Sequence, residues 1–195
     1  MQLLFIDACV RGEASRTHRL AQVFITAYQK QWPAHTVTTL TLTKEDLQPH
    51  TPAGLEKRDA LLRQGRLDDA MFRFAHQFAA ADKIVIAAPY WDLTFPALLK
   101  TYIERVCVDP VTFHYTDVGI DQLCKAEKLL YITTAGGIIE PYNLGFAYVE
   151  GLCDYFFGIP QRHFASAEGL DIVGANVESI LGETQAELEA LARTF

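Results

Sequence analysis

The sequence predicts an α/β protein: a doubly wound, five-stranded parallel sheet of order 2-1-3-4-5 with helices on both faces. Three observations predict it. Short apolar runs alternate with segments of helical periodicity along the whole chain. Two of those runs, 3–8 and 83–89, are apolar on both faces, as strands covered by helices on each side must be. The 195 residues, half of them hydrophobic and about a fifth charged, suit one globular domain spanning 1–195 and exclude a disordered chain.

The apolar runs are "LLFIDA" (3–8), "KIVIAAP" (83–89), "KLLYITTA" (128–135) and, less sharply, "QRHFASAEG" (161–169). A fifth, "TVTTLTL" (36–42), is rich in Thr and Val and reads as a more polar, outer strand. Residues 15–31 place Leu20, Val23, Phe24 and Ala27 at helical spacing, and 66–81 repeat the spacing with Leu67, Ala70, Met71, Phe74 and Phe78. Residues 96–106 open with Pro96, suited to a first helical turn, and carry Leu99, Ile103 and Val106 on one face. Helices over 143–157 and 176–194 complete the alternation. The polar stretch 44–66 is long for a connection and is expected to hold a short helix and a mobile segment. Five alternating strands suggest the flavodoxin-like arrangement.

The net charge of −7 and the absence of a basic stripe disfavour nucleic acid as a partner. The N-terminus has no basic, apolar leader, and the run from Ile84 falls far short of the roughly 20 residues that span a bilayer, so no membrane partner is expected. Cys9, Cys107, Cys124 and Cys153 are scattered, without C-x-x-C or zinc spacing. They read as reduced thiols of a cytoplasmic protein, with no metal.

In a sheet of this order, ligands bind beyond the carboxyl ends of the strands at the switch point. The loops after the first, third and fourth strands are therefore informative. The first, "ACVRGEASRTHRL" (8–20), sets Ser15, Arg16 and Thr17 at a helix start, where hydroxyls cap free amides and a phosphate is also favoured. It contains neither G-x-G-x-x-G nor G-K-[ST]. The second, "APYWDLTFPALLKTYIERV" (88–106), sets two bulky aromatics at a sheet edge, either as a plug or as cover for something flat and apolar. The third, "TTAGG" (133–137), has paired glycines that permit a tight turn or close approach to a ligand.

Taken in order, "SRT", "PYWDLTFPALLKTYIERV", "VTFHYT" and "TTAGG" resemble the FMN-dependent NADH:quinone oxidoreductases and azoreductases of the flavodoxin-like NAD(P)H dehydrogenase family. The resemblance runs through nearly the whole chain and is strongest over 88–137. It implies an FMN cofactor with NADH or NADPH as hydride donor, and a quinone or azo compound as substrate. It implies that Cys9, Ser15, Arg16 and Thr17 surround the FMN phosphate and that Pro89, Tyr90, Trp91, Asp92 and Leu93 line the isoalloxazine. Thr134, Ala135, Gly136 and Gly137 would form the opposite wall. A homodimer is implied, with "VTFHYT" (111–116) an aromatic wall near the flavin. Three positions depart from the family's usual pattern: Asp92 stands where Asn is usual, Ala135 where Arg is frequent, and Cys9 where Ser is common. They bear on substrate range and flavin potential.

The chemistry so implied is a two-step, ping-pong hydride transfer needing no dedicated catalytic residue, because the cofactor does the hard step. Two other readings compete. A non-enzymatic flavodoxin-type electron carrier would suit the acidic surface. A small cysteine phosphatase would use Cys9, Arg16-Thr17 and Asp109-Pro110, but Arg16 is seven residues after Cys9 where six are required. One extra residue adds up to about 3.5 Å of chain, too much for catalytic geometry.

Overall fold

The computed structural model describes all residues from Met1 to Phe195. The strands are β1 (Gln2–Asp7), β2 (Thr36–Thr41), β3 (Lys83–Ala87), β4 (Phe113–Thr116), β5 (Gly119–Gln122), β6 (Lys128–Thr134) and β7 (Gln161–Ala167). Five of them form one sheet, order β2-β1-β3-β6-β7, with every pairing parallel. That is the expected 2-1-3-4-5 order once the separate antiparallel pair β4-β5 is set aside.

The period-2 alternation of a strand divides the core in two. Leu4, Ile6, Ile84, Ile86, Leu129 and Tyr131 point to one face. There they meet Phe74 and Phe78 of α3 (Arg73–Ala80), Leu99 and Tyr102 of α4 (Ala97–Val106), and Val149 of α5 (Leu144–Leu152). Leu3, Phe5, Val85, Ala87, Leu130 and Ile132 point to the other face. Leu20 and Phe24 of α1 (Arg16–Gln31) and Leu188 of α6 (Val177–Ala192) cover them. The edge strand β2 is polar on its outer side, as its Thr-rich sequence suggests. No helix is long and apolar enough to cross a membrane.

Some elements follow the sequence reading and others differ from it. The stretch 44–66 contains the three-turn helix α2 (Pro52–Arg63), with Pro52 at its start and Thr51 Oγ1 accepting the Gly54 N–H at 3.1 Å. The helix expected over 66–81 begins only at Arg73. Upstream, Asp69 caps a single 3-10 turn by accepting the Met71 N–H, and Leu67 and Met71 pack on a satellite cluster around Leu61 and Phe72. Helical spacing thus marks burial there, but not a helix. Pro96 is the N-cap of α4 rather than its first residue. α5 ends at Leu152 and opens into a π turn, Cys153–Phe157, which the left-handed Gly158 terminates.

Candidate functional site at the carboxyl edge of the sheet

The loops that follow β1, β3 and β6 meet at the carboxyl edge, and the loop after β7 joins them. Between them lies a pocket of about 170 Å³ lined by Arg11, Ala14, Ser15, Arg16, Pro89, Tyr90, Trp91, Thr134, Gly136 and Asp171. Seven of these are positions that the sequence singled out. Arg11, Ala14 and Asp171 are not. Asp171 was hidden because it follows the last strand, outside the three loops next to the switch point.

The first loop is braced from below. Ser15 caps α1, its Oγ accepting the His18 N–H at 3.3 Å. Thr17 is fully buried, with its Oγ1 2.6 Å from Thr134 Oγ1. Arg16 reaches across to the fourth loop, donating to Asp171 Oδ1 at 3.0 Å and to the Leu170 carbonyl at 3.3 Å.

The second loop makes a two-residue turn. Trp91 and Thr94 pair as an isolated antiparallel bridge, Thr94 N–H donating to the Trp91 carbonyl at 2.8 Å and Trp91 N–H to the Thr94 carbonyl at 3.3 Å. The two residues between them, Asp92 (φ 49°) and Leu93 (φ 68°), both occupy the left-handed region. This is costly for side chains that are not glycine, leucine above all, and such strain is stored where a local conformation is needed. The turn leaves the N–H groups of Asp92 and Leu93 without a protein partner. Tyr90 anchors its start, N–H to the Thr134 carbonyl at 3.0 Å and hydroxyl to the Tyr142 carbonyl at 2.9 Å.

In the third loop the N–H groups of Gly136 and Gly137 are likewise unpartnered. A Cβ on Gly136 would overlap Asp171 Oδ2 and lie 3.0 Å from Asp171 Cγ, so the glycine is what lets the carboxylate come in. The third and fourth loops are held together by bonds from Gly169 N–H to the Gly137 carbonyl and Asp171 N–H to the Gly136 carbonyl, each 2.9 Å.

The structure places several of the expected site residues away from the pocket. Cys9 does not face the pocket: it is 1 % exposed and its Sγ donates to the Ala87 carbonyl at 3.7 Å. It continues the alternation of Leu3 and Phe5 into the α1-side core. Burial, reinforced by the neighbouring Asp7 charge, raises its thiol far above the ordinary range, which disfavours the thiolate that a nucleophile needs. Thr17 and Ala135 are also beneath the surface, and Asp92, Leu93 and Gly137 stand at the rim. Within "VTFHYT", Phe113–Thr116 form β4 of the β4-β5 hairpin, and none of the six residues lines this pocket. Phe113 packs on Phe156 at 4.3 Å, and Lys125, just after the hairpin, donates its N–H to the Ala79 carbonyl near the start of β3. Asp109, the acid required by the phosphatase reading, bonds His114 there and is not assembled with Cys9.

A family model describing a flavodoxin-like fold matches residues 1–192 of the chain. The chain belongs to this flavodoxin-like family. A flavodoxin-like relative from Clostridium acetobutylicum, FMN-dependent NADH:quinone oxidoreductase 2, is 37% identical over 200 residues, covering 100% of this chain and 99% of the relative. An FMN-dependent NADH:quinone oxidoreductase from Lachnoclostridium phytofermentans is 35% identical with the same coverage. Among solved structures, the azoreductase of Bacillus anthracis str. Sterne superimposes with a TM-score of 0.86 at 25% identity, each chain covered in full.

Proposed function

We propose that the chain is an FMN-dependent NAD(P)H oxidoreductase that reduces quinones, and azo compounds as a second substrate class, by two-electron transfer. One observation carries the reading: two strained or glycine loops, 91–94 and 135–137, each present a pair of free amides beside a pocket that borders the capped first turn of α1. Such donors suit the heteroatom edge of a flavin, and the helix start suits its phosphate. The fit is good.

On this reading Ser15, Arg16 and the first turn of α1 hold the phosphate. Tyr90, Trp91 and Leu93 supply apolar cover for the ring, with Pro89 shaping the strand exit. The amides of Asp92 and Leu93 serve one edge of the ring and those of Gly136 and Gly137 the pyrimidine end, where charge grows on reduction. Cys9, Thr17 and Ala135 act from behind, fixing the loops, while Thr134 lines the pocket itself. Bound FMN supplies a hydride relay between nicotinamide and acceptor, so the protein need only bind and orient. The half-exposed Trp91 and Leu93 leave the site open to solvent on one side. That suits alternate entry of donor and acceptor, and a second copy of the chain that closes part of the face. We therefore extend the reading to a cytoplasmic homodimer in which each chain is one FMN-binding domain.

The test is direct. Apoprotein titrated with FMN should quench flavin fluorescence with one site per chain, and the complex should turn over NADH or NADPH beyond one equivalent per flavin when a quinone is present in excess. Protein that leaves flavin fluorescence untouched would refute the reading. Parallel double-reciprocal lines are expected for the ping-pong order, and sedimentation should give twice the 21.8 kDa chain mass. An electron carrier would instead bind FMN but show no NAD(P)H turnover even with quinone in excess.

A further inference from the structure

Two ionisable groups beneath the first loop have no part in the function proposed so far. Asp7, the last residue of β1, is 2 % exposed. Its Oδ1 accepts the Cys9 N–H at 3.0 Å, and its Oδ2 lies 2.9 Å from His18 Nδ1. With Asp7 ionised, the carboxylate only accepts, so His18 would carry a proton on Nδ1. His18 stands in the first turn of α1, its own N–H on Ser15 Oγ. The pair therefore ties the end of the strand to the start of the helix, across the segment 8–17 on which the phosphate would rest.

The second ring nitrogen of His18 has no protein partner and borders a groove of about 870 Å³ on the outer side of α1. It can gain or lose a proton without breaking the bond to Asp7. The charged groups around it are few. Asp7 faces it from β1, Glu13 from the turn before α1, and Arg19 from α1 itself; Lys30 of α1 and Glu189 and Arg193 of the C-terminal helix region border the groove farther along. Arg19 is engaged by Glu178 at 2.8 Å and Arg16 by Asp171 at 3.0 Å, so neither arginine offsets Asp7.

We propose that His18 is a positioning residue for the phosphate loop: protonated, it cancels the buried Asp7 charge; neutral, it leaves that charge opposing the bound phosphate. The inference rests on the FMN reading above. Flavin affinity then carries a His18-dependent component that is stronger with the ring charged than with it neutral. A change of one unit charge beneath the phosphate loop is expected to alter affinity on the order of fivefold.

The experiment titrates apoprotein with FMN between pH 5.5 and 8.5 by fluorescence quenching, for wild type and His18→Gln, an uncharged side chain that can still donate to Asp7. The phosphate's own titration is common to both and cancels in the ratio of dissociation constants. That ratio should favour wild type by about fivefold at the acid end and approach unity at the alkaline end, and with riboflavin, which has no phosphate, it should stay flat. Should the variant fail to fold, the His18 ring resonances of wild type still decide the matter, because FMN must raise the pH at which they titrate. A pH-independent ratio, an equal trend with riboflavin, or a His18 titration indifferent to FMN overturns the inference while the FMN reading stands. Wild type that binds no FMN at any pH overturns both.

Discussion

Thr17 Oγ1 and Thr134 Oγ1 lie 2.6 Å apart beneath the surface and join the first turn of α1 to the last residue of β6. Each hydroxyl is the partner the other needs, because Thr17 is fully buried and Thr134 nearly so. Thr17→Val keeps the shape and strands the Thr134 hydroxyl, which should cost about 1–2 kcal/mol of unfolding free energy. Thr134 also lines the pocket, so FMN affinity should fall several-fold, whereas Thr17→Ser should restore both. Urea unfolding of the three proteins checks the first part; equal midpoints for wild type and Thr17→Val would mean that the bond contributes nothing.

The sheet was legible because the middles of β1, β3 and β6 are buried on both faces and so run apolar, as strands covered on each side must. Its topology then places the loops after β1, β3 and β6 side by side, which is why Ser15, Arg16, Tyr90, Trp91 and Gly136 converge. The β4-β5 hairpin was not legible as strands: its four-residue strands are half polar and owe their place to Phe113 against Phe156, a contact distant in sequence. The inward turn of Cys9 follows from the alternation of Leu3 and Phe5, yet the polar residues beside it suggested a ligand. Asp171 could be found only from the structure, since its approach depends on the missing side chain of Gly136.

Gly136→Ala tests that approach. Gly136 has no left-handed φ, so the substitution is a question of space alone. The Asp171 side chain is 67% exposed and can swing out, so stability should change by less than about 0.5 kcal/mol. The methyl group would instead occupy the pocket and release Arg16 from Asp171. FMN binding should weaken by about tenfold, equivalent to about 1.4 kcal/mol. Loss of stability larger than loss of binding would show that the pair supports the fold rather than the site.

Leu93 at φ 68° pays a backbone penalty of roughly 1–2 kcal/mol that glycine would not. Glycine gives back part of this through the freedom of the unfolded chain, about 0.5–1 kcal/mol. Leu93→Gly should therefore stabilise the protein slightly, by up to about 1 kcal/mol, and Leu93→Val should destabilise it, because a β-branched residue tolerates that region worst. At the same time Leu93→Gly removes apolar cover from the rim, so FMN affinity should drop while the melting temperature rises. Opposite movement of the two quantities is the signature of strain kept for binding; parallel movement would contradict it.

The cysteines give the last prediction, and it separates the two uses the first loop could have had. Burial pushes the Cys107 thiol up to about 11 and those of Cys124 and Cys153 up to about 12, from an ordinary 9.0, and Cys9 is raised further, with Asp7 adding to the effect. Thiols raised in the folded state contribute stability that is complete below about pH 9 and is lost as pH climbs toward 11 and 12, since the unfolded chain ionises first. The urea midpoint should therefore decline over that window, and less steeply in Cys9→Ser. At pH 8 iodoacetamide should alkylate Cys9 in native protein at least tenfold more slowly than in denaturant, because the thiolate is the reacting form. A phosphatase would need the opposite: a native Cys9 more reactive than a free thiol, and turnover abolished by Cys9→Ser. With Cys9 donating to the Ala87 carbonyl, a serine hydroxyl can take over the bond, so Cys9→Ser should retain FMN and keep NADH-dependent quinone reduction within about tenfold, under 1.4 kcal/mol of barrier. Rapid native alkylation of Cys9, together with phosphate release from p-nitrophenyl phosphate that disappears in Cys9→Ser, would return the loop to a nucleophile's role.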